Sequence, residues 1–192
     1  DLRGKTVASA FGSVGQRDSF LQQQAIGLDP TVDVTNTNVD ILEIRRRVLA
    51  GGIENWNGID AAVVWDPLLS RFQLEGLARV LASKPYLGVV SMSDTFIANH
   101  PEAAAEFLVA LMRAWEFLAL HPEQVMQWYI DDTQLDYQPG VLIAARLDEK
   151  FSADSLADID LSLRDQDIAT LQQGAAWAKS AGEGNTRIGE SI

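Results

Sequence analysis

Residues 59–67 read IDAAVVWDP and decide the fold of this chain. The run from Ile59 to Trp65 is almost continuously apolar and has the length of one strand, which is typical of a parallel strand that is covered on both faces. Pro67 ends the run because proline cannot donate to a sheet ladder. The stretch therefore predicts an α/β protein in which this strand belongs to a parallel sheet covered on both faces.

Strand and helix signals alternate upstream and downstream of this run. Ser13 followed by Gln16, and Asp40 followed by Glu43, have the spacing of a capping box, which starts a helix. The predicted strands lie at 5–11, 32–36, 59–65, 79–82 and 87–91, and the predicted helices at 14–26 and 40–50. The apolar stripes predicted to face the core are Phe20, Leu21 and Ala25 in the first helix and Ile41, Ile44 and Val48 in the second.

The second half of the chain has a helical pattern. The triplet His-Pro-Glu at 100–102 and again at 121–123 places proline in a first helical turn, where its missing N–H costs nothing. The predicted helices run over 101–120, from 122 onward, over 138–146 and over 165–181, and 182–192 reads as a frayed tail. The sequence thus predicts an α/β ligand-binding lobe at 1–92 and a helical C-terminal region at 93–192.

Composition narrows the class of protein. The 192 residues include 15 Lys and Arg against 27 Asp and Glu, which gives a formal net charge of −12. A sequence-independent nucleic-acid surface needs a basic face, so no nucleic-acid partner is expected. The chain has no cysteine. Disulfides, thiolate metal ligands and a cysteine nucleophile are therefore excluded within this sequence.

The loop Gly12-Ser13-Val14-Gly15 is the first candidate binding element. It joins a predicted strand to a predicted helix, and the first amides of a helix are unpaired and carry partial positive charge, so they bind anions. Arg17, one turn further on, would add a full positive charge. The alternative is that Ser13 only caps the helix and Arg17 is solvated.

The second candidate is Trp65 with Asp66, at the carboxyl end of the predicted strand 59–65. Ligands of open α/β sheets collect at this edge, so both loops would border one crevice if their strands are parallel neighbours. The indole would cover the apolar part of a ligand, and Asp66 would accept a hydrogen bond from an amine or hydroxyl. The alternative places Trp65 in the core and Asp66 at a helix start. Asn36 and Asn38 are minor candidates at the same edge.

No catalytic or metal-ligating set is predicted. His100 and His121 stand at helix starts without a partner at ligand spacing. The carboxylates at 131–132 and 158–160 lack the loop spacing of a calcium site. We therefore expect no catalytic residue, no metal and no cofactor.

Several segments together resemble the substrate-binding proteins of ABC importers for aliphatic sulfonates, taurine and nitrate. The segments are DLRGKTVA (1–8), Gly12-Ser13, GLDP (27–30), AGG (50–52), IDAAVVWDP (59–67) and NHPE (99–102). The resemblance implies a type 2 periplasmic-binding-protein fold, with a parallel-rich sheet flanked by helices and a helical C-terminal part. In that family, the loop matching Gly12-Ser13 and the strand end matching Trp65-Asp66 contribute to the ligand cleft between two lobes.

The resemblance also implies a function. The chain would capture a small organic anion such as a sulfonate or taurine and deliver it to an ABC permease and ATPase, outside the cytoplasm or in the periplasm and at the membrane through the transporter. The alternatives are an enzyme of the same fold, desulfinase-like or acting in thiamin-pyrimidine synthesis, and a ligand-sensing domain of a regulator.

Two departures from the family pattern lead to expectations. The portion that precedes the segment matching Asp1 in the family is missing from this chain, so apolar helix faces should be covered by self-association, a partner chain or altered packing. We expect this for some of the side chains of Phe107, Leu111, Trp115, Met126, Trp128 and Tyr129. Residues 53–57 also lengthen a loop, which predicts an exposed Trp56.

Overall fold

The structure is a computed structural model that describes residues 2–84, 86–134, 136–145 and 153–180. It divides into two compact units, one that reaches Leu87 and resumes at Arg164, and one from Gly88 to Leu163. The first unit contains the sheet, and the described part of the second is helical. As functional lobes, 1–92 and 93–192 remain a prediction.

A parallel three-stranded sheet lies at the centre of the first unit. Its strands are β1 (Thr6–Ser9), β2 (Thr35–Asn38) and β3 (Ala61–Ala62), in the order β2-β1-β3. Val7 of β1 lies between Asn36 of β2 and Ala61 of β3. The ladder continues past β3, since the Val63 N–H donates to the Ala8 carbonyl at 2.8 Å. The predicted α/β class is confirmed, and the carboxyl ends of the three strands share one edge.

Helices cover both faces of this sheet. They are α1 (Val14–Ala25), α2 (Ile41–Gly51) and α3 (Leu68–Leu74), and α8 (Asp165–Ser180) contacts α1. Consecutive strand residues point to opposite faces. Val7 packs with Leu28 and Val34 on one face, whereas Ala8 packs on the other with the α2 and α3 side chains that include Ile44 and Phe72. The predicted burial of Ile44 and Val48 is confirmed, because both are 0% exposed.

The buried face of α1 is polar, and the predicted apolar stripe is wrong. Gln16 and Gln23 are buried, whereas Leu21 is 41% exposed. The Gln23 amide exchanges two hydrogen bonds with the Asn36 amide, at 3.0 and 3.1 Å. A buried amide is tolerated when its hydrogen bonds are satisfied, so this pair replaces the expected apolar contact.

Several predicted strand bounds are wrong, and the strand predicted at 59–65 is observed only at Ala61–Ala62, half-buried at the edge of the sheet. The segments 79–82 and 87–91 are irregular, and Val80, Leu81, Val89 and Val90 are exposed. A strand needs a neighbour for its backbone groups, and neither segment pairs with another strand in the described ranges. The second strand also starts later than predicted, at Thr35, because the Asp29 carbonyl accepts the amides of Val32 and Asp33 and holds the chain in a turn.

Trp56, in the loop after α2, was predicted to be exposed, and this prediction is wrong. The indole is half-buried and packs against the core on the α2 side of the sheet. Its Nε1–H donates to the Gly52 carbonyl at 2.7 Å, which satisfies the polar end of the ring.

The second unit is helical as predicted. Its elements are α4 (Asp94–Asn99), α5 (Pro101–Leu120), α6 (Pro122–Thr133), α7 (Pro139–Ala145) and a 3₁₀ helix (Leu156–Asp158). Pro101 and Pro122 begin α5 and α6, which confirms the two start signals. Its small core joins Tyr137, Val141 and Leu142.

Much of the apolar surface of this unit remains exposed. Phe107, Trp128 and Tyr129 are 45%, 52% and 40% exposed, whereas Leu111 and Trp115 are half-buried. What covers these side chains in solution stays a prediction. Among the described residues, no helix combines the length and apolar character that crossing a membrane requires.

Glu43 of α2 makes a pH-dependent contribution to the stability of the first unit. Hydrogen bonds from Arg46 and then Arg47, at 2.6 and 2.7 Å, lower the pKa of its carboxyl to about 2. Because this pKa is lowered on folding, the stabilisation is complete above the ordinary pKa and is lost as the pH falls through the lowered one. We expect Glu43→Gln to lower the thermal midpoint at pH 7, and the difference from wild type to shrink below pH 4.5 and close near pH 2.

Thermal unfolding followed by circular dichroism between pH 2 and 7 checks this result. Glu54→Gln is the matched control because Glu54 is exposed on the loop after α2. A difference between Glu43→Gln and wild type that stays constant over this pH range would contradict the prediction.

Candidate functional site

Ser13 caps α1 and shapes the loop after β1. Its Oγ accepts the Gln16 amide at 3.2 Å and donates to the Ala10 carbonyl at 2.6 Å. The Gln16 side chain in turn accepts the Gly12 amide at 2.8 Å. The predicted helix cap at Ser13 is therefore present. The Gln16 side chain binds the amide of Gly12 instead of the amide of Ser13, which a capping box would require. Together these hydrogen bonds hold the loop in one conformation.

Three backbone amides of this loop are unpaired. Within the described residues, the N–H groups of Ser13, Val14 and Gly15 have no hydrogen-bond acceptor. Val14 is 47% exposed, so solvent reaches this turn. The partial positive charge of the helix start and three free donors make the turn suitable for an anion.

The loops after β1 and β3 lie against each other. A Cβ placed on Gly15 would stand 2.9 Å from Val63 Cγ1, which is closer than real Cβ contacts come. Gly15 therefore allows the first turn of α1 to approach the strand end that leads to Trp65. The structure brings these two candidate loops together at the carboxyl edge of the sheet.

Arg17 adds a cation one turn after the cap. Its side chain is half-buried, and in the described part of the chain it has no carboxylate or hydrogen-bond partner. Helical side chains lean toward the helix N-terminus, and the Arg17 guanidinium lies beside Gly174 of α8, with Nη1 3.8 Å from a Cβ built there. We call Ser13, Val14, Gly15 and Arg17 the candidate anion site.

Trp65 and Asp66 have different roles at the neighbouring loop. The indole side chain is 37% exposed and remains available to a ligand. One carboxylate oxygen of Asp66 accepts the Ser70 amide at 3.0 Å and the Ser70 hydroxyl at 2.7 Å, so Asp66, one residue before the N-cap Pro67, binds the first turn of α3. The helix-start alternative therefore describes Asp66.

Asn36 is not part of this edge. Besides its pair with Gln23, its Nδ2 donates to the Pro30 carbonyl at 2.7 Å. Its amide is thus occupied beneath α1, at the end of the sheet away from the candidate loops. Asn38 lies at the correct edge and accepts the Phe11 amide at 3.0 Å.

Two residues near the loop are absent from the sequence-based candidates. Ser9 is 1% exposed, and its hydroxyl has no partner in the described structure. It ends β1 on the same sheet face as Val7, beneath α1. Gly174 of α8 lies beside Arg17. In the sequence, a serine near the end of a predicted strand is only a weak indication of a binding residue. A single glycine within a helix gives no such indication until its tertiary contacts are known.

No alternative chemistry stands out in the described residues. They contain no group of three or more His, Asp or Glu side chains that would hold a metal ion. The two histidines lie against aromatic rings, His100 at 5.3 Å from Phe96 and His121 at 4.6 Å from Phe117. In the second unit, an open apolar depression of about 480 Å³ is lined in part by Val90, Phe96 and Phe107.

Known proteins with similar sequence or structure point to one group. A family model described as NMT1/THI5 like matches residues 1–125. The structure is similar to the alkanesulfonate-binding protein SsuA from Xanthomonas axonopodis pv. citri bound to MOPS, with a TM-score of 0.69 and 22% identity. The match covers 97% of this chain and 61% of that one, so the chain spans about three fifths of that protein. No curated protein matches.

Proposed function

This chain belongs to the NMT1/THI5-like family, and from that premise we propose that it is the substrate-binding component of an ABC importer and captures a small organic anion such as an aliphatic sulfonate or taurine. The resemblance found in the sequence is confirmed, and so is the periplasmic-binding-protein-like α/β fold. An ABC permease and ATPase as partners, and a place outside the cytoplasm, belong to the proposal.

The candidate anion site carries this proposal. Its three free amides and the Arg17 cation lie at the carboxyl edge of a parallel sheet, in a chain whose net charge is −12. An anion that enters this turn gains hydrogen bonds from donors that are already fixed by the Ser13 cap, so little ordering is needed on binding. The site therefore favours negatively charged ligands over neutral ones of the same shape.

Capture of the ligand needs no covalent step. The amides of Val14 and Gly15 and the Arg17 guanidinium would bind sulfonate oxygens through charge-assisted hydrogen bonds. The exposed part of the Trp65 indole would cover the organic portion of the ligand. The protein would then act by binding its ligand reversibly, and the charge and shape of a ligand would decide whether it binds.

Titration of the 192-residue chain with ethanesulfonate, taurine and the uncharged ethyl methyl sulfone tests this function. We expect the two sulfonates to bind and to raise the melting temperature, and the sulfone to do neither. Arg17→Gln should weaken sulfonate binding at least about tenfold, because a hydrogen bond to a charged group contributes about 1.5–3 kcal/mol.

Arg46→Gln is the control for net charge. Arg46 lies on α2 and already pairs with Glu43, so its loss changes the overall charge equally but leaves the candidate anion site intact. Equal binding of sulfone and sulfonate, or equal weakening by the two arginine variants, would refute an anion-selective site.

A further inference from the structure

Gly174 is an unusual residue for the middle of α8. Glycine disfavours a helix interior because its backbone loses more conformational freedom than that of any other residue. Gly174 is half-buried, and a Cβ placed on it would stand 3.8 Å from Arg17 Nη1. A side chain at position 174 would therefore contact the Arg17 guanidinium, the one cation of the candidate anion site.

Arg17 has no carboxylate partner among the described residues, in contrast to three arginines on α2 and α3. Arg46 and Arg47 pair with Glu43, and Arg71 pairs with Glu75, each three or four residues away. The acidic residues of α8 lie in its first turn, at Asp165 and Asp167. At 1.5 Å per residue, Asp167 is about 10 Å along the helix from Gly174.

A buried side chain independently points to a ligand at this turn. The Ser9 hydroxyl is buried and unpaired within the described residues, and such a group usually indicates a water or ligand that the protein binds. Ser9 follows the register pair of Ala8 with Ala62, which places it beside Val63, the residue that contacts Gly15. The hydroxyl therefore lies under the first turn of α1.

We propose that α8 forms a wall of the candidate anion site and that Gly174 is a specificity-determining residue. By contributing no side chain, Gly174 keeps the Arg17 guanidinium without an intramolecular carboxylate and so available to the ligand. This inference rests on the proposed function. It adds that α8, far along the chain from the loop, determines whether the positive charge of Arg17 is available to the ligand.

A double-mutant cycle tests the proposal on the 192-residue chain. Gly174→Asp and Gly174→Asn place side chains of almost equal size and helix propensity beside Arg17, and only the aspartate provides a competing carboxylate. Each of these two substitutions is made in the wild-type chain and in the Arg17→Gln variant, which gives four variants. Ethanesulfonate titration and thermal unfolding are measured on all four variants and on wild type.

We expect Gly174→Asp to bind ethanesulfonate at least tenfold more weakly than Gly174→Asn, and this ratio to disappear with Arg17→Gln. The aspartate variant should also melt at a higher temperature than the asparagine variant, only when Arg17 is present. This second readout detects the pairing without any ligand.

The outcomes separate this inference from the proposed function. Equal affinities of the aspartate and asparagine variants, beside a wild type that binds, overturn the role of Gly174 and leave the function standing. A melting difference that is unaffected by Arg17→Gln overturns the placement of α8 beside Arg17. A wild type that binds no sulfonate overturns the proposed function and this inference with it.

Discussion

Phe72→Ala should lower the free energy of unfolding by about 3–5 kcal/mol, the range for removing a buried aromatic ring from a core. Phe72 is 2% exposed and packs with Ile44, Val48 and Ala8 between the sheet, α2 and α3. The loss combines the transfer of the ring to water in the unfolded chain with the cavity left behind. Urea unfolding monitored by circular dichroism measures it.

Leu74→Ala provides the comparison on the same helix. Leu74 is 62% exposed, so its truncation should change the free energy of unfolding by no more than about 0.5 kcal/mol. Similar losses for the two variants would mean that α3 does not bury Phe72 against the sheet.

Gly15→Ala should disrupt the candidate anion site more than its single added methyl group suggests. The new Cβ would stand 2.9 Å from Val63 Cγ1, so the first turn of α1 and the end of β3 must move apart. Overpacking of this kind destabilises a protein by about 1–3 kcal/mol. The free amides of Val14 and Gly15 move with the turn, and we expect ethanesulfonate to bind at least tenfold more weakly.

A second substitution distinguishes overpacking from other effects. Val63→Ala removes the methyl group that Gly15→Ala would meet, so the double variant should regain most of the lost sulfonate affinity. Gly88→Ala is a control for the glycine change itself, because a Cβ there meets nothing within 4 Å. Failure of Val63→Ala to restore binding would show that the close approach of Gly15 to Val63 does not limit the site.

Local signals predicted the elements of this protein well. Ser13 and Asp40 are found as helix caps, and Pro101 and Pro122 begin α5 and α6. These features depend on residues only a few positions apart, so the sequence contains all the information that they need. The apolar run before Trp65 correctly predicted a parallel strand, but β3 spans only Ala61–Ala62 at the sheet edge and its side chains are half-buried.

Predictions that needed a partner residue were less successful. Val89 and Val90 have strand propensity but no strand beside them in the described residues, and they are exposed. Phe20 and Leu21 have an apolar spacing, but the amides of Gln23 and Asn36 form the buried contact under α1. Whether a polar side chain faces the core depends on a partner far along the chain, which periodicity does not show.

The same distinction applies to the candidate site. The sequence alone determined that a capped helix start follows the first strand, that Trp65 lies shortly after the third, and that the chain is acidic. Only the tertiary structure decided that Gly15 contacts Val63, that Gln23 pairs with Asn36, and that Gly174 lies beside Arg17. Caps and strands arise from short-range backbone hydrogen bonding, whereas a binding site arises from contacts between segments that only the folded chain brings together.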